Sequence, residues 1–210
     1  TPRFIRKSGS SPMFTPSNDA FYFFEDEGDS KSLKSVKLDE SDLRTHFTSK
    51  YATSIVPSPD AKWVAFTELF KVYIASFPPS GKPTDLASGA KAFPVSQAAK
   101  DGGLSLHWSA DSKALHWTAG DEYFTRKITD GFTFVEGARD TVLPADSTGL
   151  KIGLMLASDK PKGLIALRGA RIITMDASRT VIEDGMVLID GNRITAVGKA
   201  AEMKISSDTK

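Results

Sequence analysis

Short apolar runs separated by polar turns cover most of the chain up to about residue 134. Two clear examples are Trp63-Val64-Ala65-Phe66 and Val72-Tyr73-Ile74, which are rich in β-branched and aromatic residues. Short runs of this kind, bounded by Gly, Pro, Ser and Asp, are typical of β-strands, whereas helices need longer periodic segments. The pattern therefore predicts a mainly β structure.

A polar turn followed by an apolar strand occurs three times in this region. The copies begin at Thr15, Ser58 and Ser109, so their offsets are 43 and 51 residues. In the second copy, Pro59 fixes φ at about −65°, and Asp60 can accept a hydrogen bond from the backbone two residues later. The repeated segment therefore predicts a structural turn rather than a catalytic motif.

A repeat of roughly 40–50 residues with about four short strands has the size of a β-propeller blade. The segments TSIVPSPDAKWVAFTELFKVYIASF and LSLHWSADSKALHWTAGDEYFTRKI closely resemble TolB-like propeller repeats, in which a Ser-Pro-Asp-Gly-Lys turn precedes a strand. Ala61 and Ser112 replace the glycine of that turn. Residues 1–134 are therefore predicted to form about three TolB-like blades. The alternative is a small antiparallel sandwich, which would not group its strands in fours.

The number of blades sets a further expectation. Three blades cannot close a ring, because propellers typically contain about four to eight. We therefore expect the chain to be the tail of a larger propeller, with Thr1-Pro2-Arg3 as a cut end.

The aromatic residues mark a boundary between two different cores. All 20 of them lie between Phe4 and Phe134, whereas residues 135–210 use Ile, Leu, Val, Ala and Met instead. The segment that follows Phe134 is rich in Gly, Pro, Asp, Ser and Thr, which is typical of an exposed connection between domains. We therefore predict a linker at residues 135–150 and a β-sandwich segment at residues 151–210.

Short aliphatic strands dominate this second region. They are predicted at residues 152–157, 164–169, 170–175, 180–184, 186–190 and 193–197. Asp190-Gly191-Asn192 tolerates positive φ, so the last two strands are expected to form an antiparallel hairpin. The run KGLIALRGARIITMDASRTVIEDGMVLIDGNRITAVGK strongly resembles the opening of amidohydrolase-superfamily chains of the imidazolonepropionase and dihydroorotase-like type. In that family, these strands form a small β-sandwich beside a metal-dependent TIM barrel.

The resemblance implies a parent enzyme that hydrolyses a C–N bond in a cyclic amide, a dipeptide or a similar small substrate. The parent's barrel would hold Zn or a similar divalent metal, and its His-x-His segment would follow Lys210. This chain is therefore expected to be a non-catalytic portion of the parent, inactive alone and without its own cofactor. Its expected partners are the upstream blades, the barrel and the parent's substrate, with a homo-oligomer left open.

Two alternative functions stay open. The first is a β-propeller module that binds a protein or peptide without catalysis, because propellers present loops around a central channel. The second is the propeller of a prolyl-oligopeptidase-type serine peptidase. The latter is disfavoured because the residues after 150 lack the helical periodicity of the α/β-hydrolase that should follow.

The sequence predicts no catalytic, cofactor-binding or metal-binding residue. The three histidines, His46, His107 and His116, form no His-x-His or His-Glu-x-x-His motif. His107 and His116 flank Trp108 and Trp117 at matching strand positions. We expect packing or surface roles for these two histidines, with a cryptic metal site as the alternative.

Two groups of carboxylates resemble functional sites superficially. The cluster Glu25-Asp26-Glu27-Gly28-Asp29 lacks the spacing of an EF-hand loop and is expected to be a solvated blade turn. A second group, consisting of Asp176, Glu183, Asp184 and Asp190, lies in predicted sandwich turns. In the family that this region resembles, the active site lies at the mouth of the barrel and not in the sandwich.

Charge and composition exclude several partner classes. Twenty-seven Lys and Arg against 26 Asp and Glu give a net charge of +1, without the basic excess that attracts nucleic acids or anionic membranes. The chain has no Cys, so disulfide and thiolate chemistry are excluded. Resemblance to exported fusions of a propeller with an amidohydrolase implies a periplasmic or secreted location, with the cytoplasm as the alternative.

Overall fold

The computed structural model describes residues 5–153, 155–159, 162–207 and 209. The chain forms two compact units, one ending at Gly153 and one formed by the residues that follow it. The described residues are mainly β, which confirms the predicted fold class. Their helical segments are one turn of helix, α1 (Ile128–Gly131), and a 3-10 turn at Ala200–Glu202.

The first unit contains three sheets of short strands. In chain order these strands are β1 (Ser10–Phe14), β2 (Ala20–Asp26), β3 (Lys31–Lys37), β4 (Arg44–Ser49), β5 (Ala52–Pro57), β6 (Trp63–Glu68), β7 (Lys71–Ser76), β8 (Thr84–Asp85), β9 (Val95–Gln97), β10 (Leu104–Trp108), β11 (Ala114–Ala119), β12 (Glu122–Lys127) and β13 (Leu150–Lys151). The strand orders are β1-β2-β3-β4-β8, β5-β6-β7-β9 and β10-β11-β12-β13. Pairing is antiparallel except between β4 and β8. Sheets of four or five strands agree with the blade prediction and not with the small sandwich.

The middle sheet is apolar on both faces. Val64 and Phe66 of β6 pack in a core with side chains of the first sheet. Ala65 of β6 packs in a second core with side chains of the third sheet, together with Val72 and Ile74 of β7. All five side chains are fully buried. Neighbouring sheets on both sides therefore shield the middle sheet from water.

The predicted turns adopt one geometry in the second and third copies. The Ser58 hydroxyl donates to Asp60 Oδ1 at 2.6 Å and accepts from the Trp63 amide at 3.0 Å. The Ser109 hydroxyl donates to Asp111 Oδ1 at 2.6 Å and accepts from the Ala114 amide at 3.0 Å. Because each turn satisfies its own polar groups, it can deliver the chain into a buried strand.

The position occupied by glycine in TolB-like turns has left-handed backbone in all three copies. Its φ is 59° at Asn18, 52° at Ala61 and 60° at Ser112. Asn tolerates this conformation, and the Ser112 hydroxyl accepts a hydrogen bond from the Asp60 amide at 3.0 Å. Ala61 has no side-chain polar group to compensate for the strain.

The segment predicted as a linker, residues 135–150, belongs to the first unit. The buried Arg126 guanidinium donates to the carbonyls of Leu143 at 2.7 Å and Pro144 at 2.8 Å, and contacts Asp146 Oδ1 at 3.2 Å. The Asp146 amide donates to the Ala98 carbonyl at 2.8 Å. The composition of this segment is that of a connection, but its backbone is fixed by the second and third sheets, and the division between units follows Gly153.

The second unit contains one antiparallel sheet in the order β14-β15-β16, formed by β14 (Leu164–Ile173), β15 (Val181–Asp190) and β16 (Arg193–Lys199). The predicted hairpin between the last two strands is confirmed, with Gly191 at φ 59° in its turn. The strands predicted at 164–169 and 170–175 form the single strand β14, which continues through Gly169 with a register shift. The strands predicted at 180–184 and 186–190 form the single strand β15, which continues through Gly185. In the predicted strand at 152–157, the described residues form no strand, and Leu154 lies outside the described residues.

Replacing Ala61 with Gly should stabilise the first unit. Left-handed backbone costs a non-glycine residue roughly 1–2 kcal/mol, and the greater chain entropy of unfolded Gly offsets about half of that gain. We expect Ala61→Gly to raise the free energy of unfolding by about 0.5–1 kcal/mol, measured by urea denaturation. Ser112→Gly should raise the free energy of unfolding by less, because it removes the hydroxyl that accepts a hydrogen bond from the Asp60 amide. Ala65→Gly, in a buried strand, should destabilise, and an equal loss in Ala61→Gly would contradict the strain at this turn.

Candidate functional site

The first strands of the three sheets meet around one cleft. Strands β1, β5 and β10 are each the edge strand of their sheet. Residues 11–13, 54–57 with Pro59, and 105–108 line a cleft of about 410 Å³ between them. The cleft is therefore formed by equivalent positions of the three repeats.

All three edge strands have a register irregularity beside this cleft. The pairing with the next strand shifts between Ser10 and Met13 in β1, between Ala52 and Ser54 in β5, and between Leu104 and His107 in β10. Ser11 and Ser105, at two of these irregularities, have left-handed φ values of 52° and 56°. Bulges and left-handed non-glycine residues are enriched at functional sites, where they redirect side chains and backbone groups.

The cleft lining is apolar with a few hydroxyl groups. Ser11, Ser54 and Ser105 supply the hydroxyls, and the remaining lining residues are aliphatic, proline, Trp108 and His107. The lining contains no carboxylate, lysine or arginine. Because a buried charge needs a partner, this cleft suits an uncharged ligand group.

Two contacts fix β10 beside the second sheet. The Trp108 indole N–H donates to the Val56 carbonyl of β5 at 3.0 Å, and the indole is buried. Gly103, just before β10, has no room for a side chain, since an added Cβ would lie 2.4 Å from a methyl carbon of Val72 and 2.7 Å from Trp117 Cδ1. Close approach of the two sheets at Gly103 therefore helps to define the cleft.

A larger cleft of about 1020 Å³ lies at the turns of the second and third sheets. It is lined by residues of both charges, including Asp60, Lys62, Asp111 and Lys113. The hydrogen bond from the Ser109 hydroxyl is the main cause that lowers the pKa of Asp111, and the bond from the Lys113 amide contributes less. Since these carboxylates bind their own turns, the cleft reflects turn structure rather than converging reactive groups.

The structure separates the three histidines into two environments. His46 is half-buried, with Nε2 2.7 Å from the Ser35 hydroxyl and its ring in edge contacts with Tyr22 and Phe77. Burial is the main cause that lowers the pKa of His46, and the nearby Arg44 charge contributes less. His107 and His116 lie side by side on the third sheet, where their rings are stacked.

In the acidic cluster at residues 25–29, the last four residues are exposed, in keeping with the predicted solvated turn, and Glu25 is buried instead. Glu25 is buried at the end of β2, where it pairs with Lys34 at 2.5 Å and Arg6 at 3.4 Å and accepts from the Ser8 hydroxyl. The hydrogen bond from Lys34 is the main cause that lowers the pKa of Glu25, and the bond from Ser8 contributes less. Asp26 pairs with Lys31 across the hairpin at 2.9 Å. The cluster therefore closes a hairpin through ion pairs.

The four carboxylates of the second unit do not converge. Asp176 accepts from the amide and hydroxyl of Thr180, and the amide bond is the main cause of its lowered pKa. Glu183 forms an exposed ion pair with Arg171 at 3.3 Å. Asp184 and Asp190 are exposed. Within the described ranges, no group of three or more His, Cys, Asp or Glu residues could hold a metal ion, and no helix is long and apolar enough to cross a membrane.

The register irregularities of β1, β5 and β10 are features of the cleft that the sequence patterns do not reveal. Each involves only one or two residues, which is too short to alter the apolar periodicity of a strand. The local signals are Ser11-Pro12 in β1 and Gly102-Gly103 before β10. Both pairs are compatible with ordinary turns, so neither identifies a bulge by itself.

Solved structures that resemble this chain include β-propeller proteins of low sequence identity. No protein-family model and no curated protein matches the sequence. The β-propeller domain of the Trilobed protease from Pyrococcus furiosus is 13% identical, with 89% of this chain and 56% of that chain covered and a TM-score of 0.40. TolB from Acinetobacter baumannii is 13% identical, with 86% of this chain and 51% of that chain covered and a TM-score of 0.30. The tricorn protease is 12% identical, with 89% of this chain and 22% of that chain covered and a TM-score of 0.37.

This chain spans less than two thirds of the length of each of those three structures. At these low identities and TM-scores, the similarities assign no activity to the chain. The evidence for the fold is therefore the strand order and register of its three sheets.

The environment of His46 predicts a pH-dependent stability. Since its pKa is lowered on folding, the unfolded chain takes up a proton first as the pH falls below about 6.5, and folding becomes less favourable. We expect His46→Gln to lose less stability than the wild type between pH 7.5 and pH 5.5 in urea denaturation. Ser35→Ala, which removes only the hydrogen-bond partner, should keep the pH dependence. Identical losses in the wild type and His46→Gln would contradict a lowered pKa of His46 in the folded chain.

Proposed function

We propose that this chain is a non-catalytic β-propeller module that binds a protein or peptide segment in the cleft between β1, β5 and β10. The observation that carries the proposal is the convergence of three edge strands, each with a register irregularity, on one cleft without carboxylates, lysine or arginine. The blade-like repeat supplies these strands at equivalent positions.

Edge strands favour a peptide as the ligand. They have backbone N–H and C=O groups that their own sheet does not pair, and an extended peptide can bond to such groups. The register irregularities at Ser11 and Ser105 interrupt the regular pairing where the cleft opens. Backbone hydrogen bonds would supply affinity, and the cleft would select side chains.

Side-chain selection follows from the cleft lining. A volume of about 410 Å³ lies within the range of roughly 300–1,000 Å³ that is usual for small ligand sites. Met13, Ile55, Val56 and Leu106 provide apolar surface, and the serines provide hydroxyls. We therefore assign specificity for uncharged, mainly aliphatic side chains.

A charge placed in the cleft should prevent binding. Ser11 and Ser10 are neighbouring exposed residues of β1, but only Ser11 lines the cleft. On an array of immobilised octapeptides, we expect the wild type to bind aliphatic, uncharged sequences in preference to charged ones. Ser11→Glu should reduce that binding about tenfold, because a bound aliphatic peptide would cover its carboxylate and the lining has no lysine or arginine to pair with it, whereas Ser10→Glu should bind as the wild type does. Absence of binding, or equal binding by both variants, would contradict a peptide site in this cleft.

A second candidate function is the sandwich segment of a metal-dependent amidohydrolase. The observation that favours it is the exposed aliphatic face of the second unit's sheet, where Leu167, Val187 and Val197 lie directly opposite one another on β14, β15 and β16. Leu167 is 53% exposed and Val197 43% exposed. Such a face is expected to be covered by further protein. Together with the amidohydrolase-like run at residues 162–199, it supports a structural role in a longer, exported parent enzyme with a Zn-type metal and a small amide substrate.

The exposed face can be tested directly. Leu167→Lys should reduce the fluorescence of the hydrophobic dye 8-anilinonaphthalene-1-sulfonate bound to the folded chain several-fold, because it places a charge in the middle of the aliphatic face. Arg168→Lys, at the next position and on the opposite face of β14, should leave the dye signal unchanged. Equal fluorescence in both variants would contradict a continuous apolar surface at Leu167.

A further inference from the structure

Two histidines and a tyrosine lie together on one face of the third sheet. His107 of β10 is directly opposite His116 of β11, and their imidazole centroids are 5.2 Å apart with an angle of 22° between the rings. The Tyr123 ring of β12 lies 5.9 Å from His107 and 5.5 Å from His116. The three rings therefore form a compact cluster contributed by three adjacent strands.

The hydrogen bonds of His107 define its tautomer. Its Nδ1 lies 2.9 Å from the Ser105 carbonyl oxygen, which can only accept, so Nδ1 carries a proton. In the neutral ring, Nε2 then has the free lone pair. This atom is 3.1 Å from the Tyr123 hydroxyl. The left-handed backbone of Ser105, in the irregular part of β10, brings its carbonyl to His107.

The second histidine has an equivalent arrangement. His116 Nδ1 lies 2.8 Å from the Thr125 hydroxyl on β12, and its Nε2 has no hydrogen bond within the described part of the chain. In the tautomer in which Nδ1 donates to the Thr125 hydroxyl, the Nε2 lone pair is available. Both imidazoles thus have Nδ1 beside an oxygen, and a metal ion would bind His116 Nε2 directly and would replace the Tyr123 hydroxyl as the partner of His107 Nε2.

We propose that His107 and His116 bind one late first-row transition-metal ion through their Nε2 atoms, with the Tyr123 hydroxyl as a neighbouring oxygen donor. Neutral imidazole is a preferred ligand of Cu²⁺, Ni²⁺ and Zn²⁺, and Cu²⁺ binds most tightly to a given nitrogen site in this series. Metal-binding histidines usually donate their other ring N–H to an oxygen, which is the role of Ser105 and Thr125 here.

The strands beneath the pair are held in place by the core. Trp108, Leu115 and Trp117, the residues next to the two histidines in sequence, are buried on the opposite face of the sheet. The core therefore fixes the backbone beneath the two imidazoles, whose nearly parallel rings would have to turn toward each other for both Nε2 atoms to reach one ion. Water would complete the coordination of an exposed site of this kind.

Calorimetric titration of the whole, chelator-treated chain with CuCl₂ and, separately, ZnCl₂ tests this proposal. We expect one ion per chain, bound more tightly for Cu²⁺ than for Zn²⁺. His107→Gln and His116→Gln should each lower Cu²⁺ affinity at least tenfold. His46→Gln is the matched control, because His46 lies apart on the first sheet, and it should bind as the wild type does. Electron paramagnetic resonance of the Cu²⁺ complex should show two nitrogen ligands in the wild type and one in either single variant.

Several results would overturn the proposal. These are absence of Cu²⁺ binding, unchanged affinity in His116→Gln, or a spectrum with two nitrogen ligands in the His107→Gln/His116→Gln double variant. Circular dichroism establishes that each variant is folded. Thr125→Val provides an independent check, because it keeps both imidazoles but removes an orienting oxygen, and it should weaken Cu²⁺ binding several-fold. Unchanged affinity in Thr125→Val would remove the orienting role of Thr125 and overturn that part of the assignment.

Discussion

Burial of both faces of the middle sheet is the constraint on which the first unit depends. Phe66 packs in one core and Ile74 in the other, and both are fully buried. Burying a large apolar side chain contributes roughly 1.5–3 kcal/mol. Loss of either neighbouring sheet would expose one whole face of β6 and β7, so the three sheets are expected to unfold together. The same packing brings the edge strands β1, β5 and β10 to one cleft.

Polar contacts determine how the second and third sheets meet across these cores. The Asp60 amide donates to the Ser112 hydroxyl, which joins the turn of one copy to the turn of the next, 52 residues later. Arg126 fixes residues 143–146 against the third sheet through backbone carbonyls. Its guanidinium is nearly inaccessible to water, at 1% exposure, so removal of these partners would leave a buried charge unpaired. The polar contacts therefore specify one arrangement of sheets whose apolar faces are less selective.

Local patterns predicted much of this structure, and contacts between distant residues account for the differences. The strand runs and turns at Ser58 and Ser109 depend on residues within a few positions, so their sequences were sufficient. Residues 135–150 have the composition of a linker, and only the position of Arg126 in the folded sheet shows that they are fixed. Likewise, burial of Glu25 depends on Lys34 and Arg6, which lie on other segments. The cleft needs three bulges at once, and no single one is visible as a sequence pattern.

The irregular part of β10 links the two sites proposed for the first unit. Ser105 lines the cleft, and its carbonyl accepts from His107 Nδ1, so one left-handed residue contributes to both. His107 also lines the cleft while its ring stacks on His116. A metal ion on the two Nε2 atoms would restrict the His107 ring and so act on the Ser105 carbonyl that this ring contacts. Because the same backbone segment forms one wall of the cleft, metal binding and peptide binding would act on a common element, and each would alter the affinity for the other.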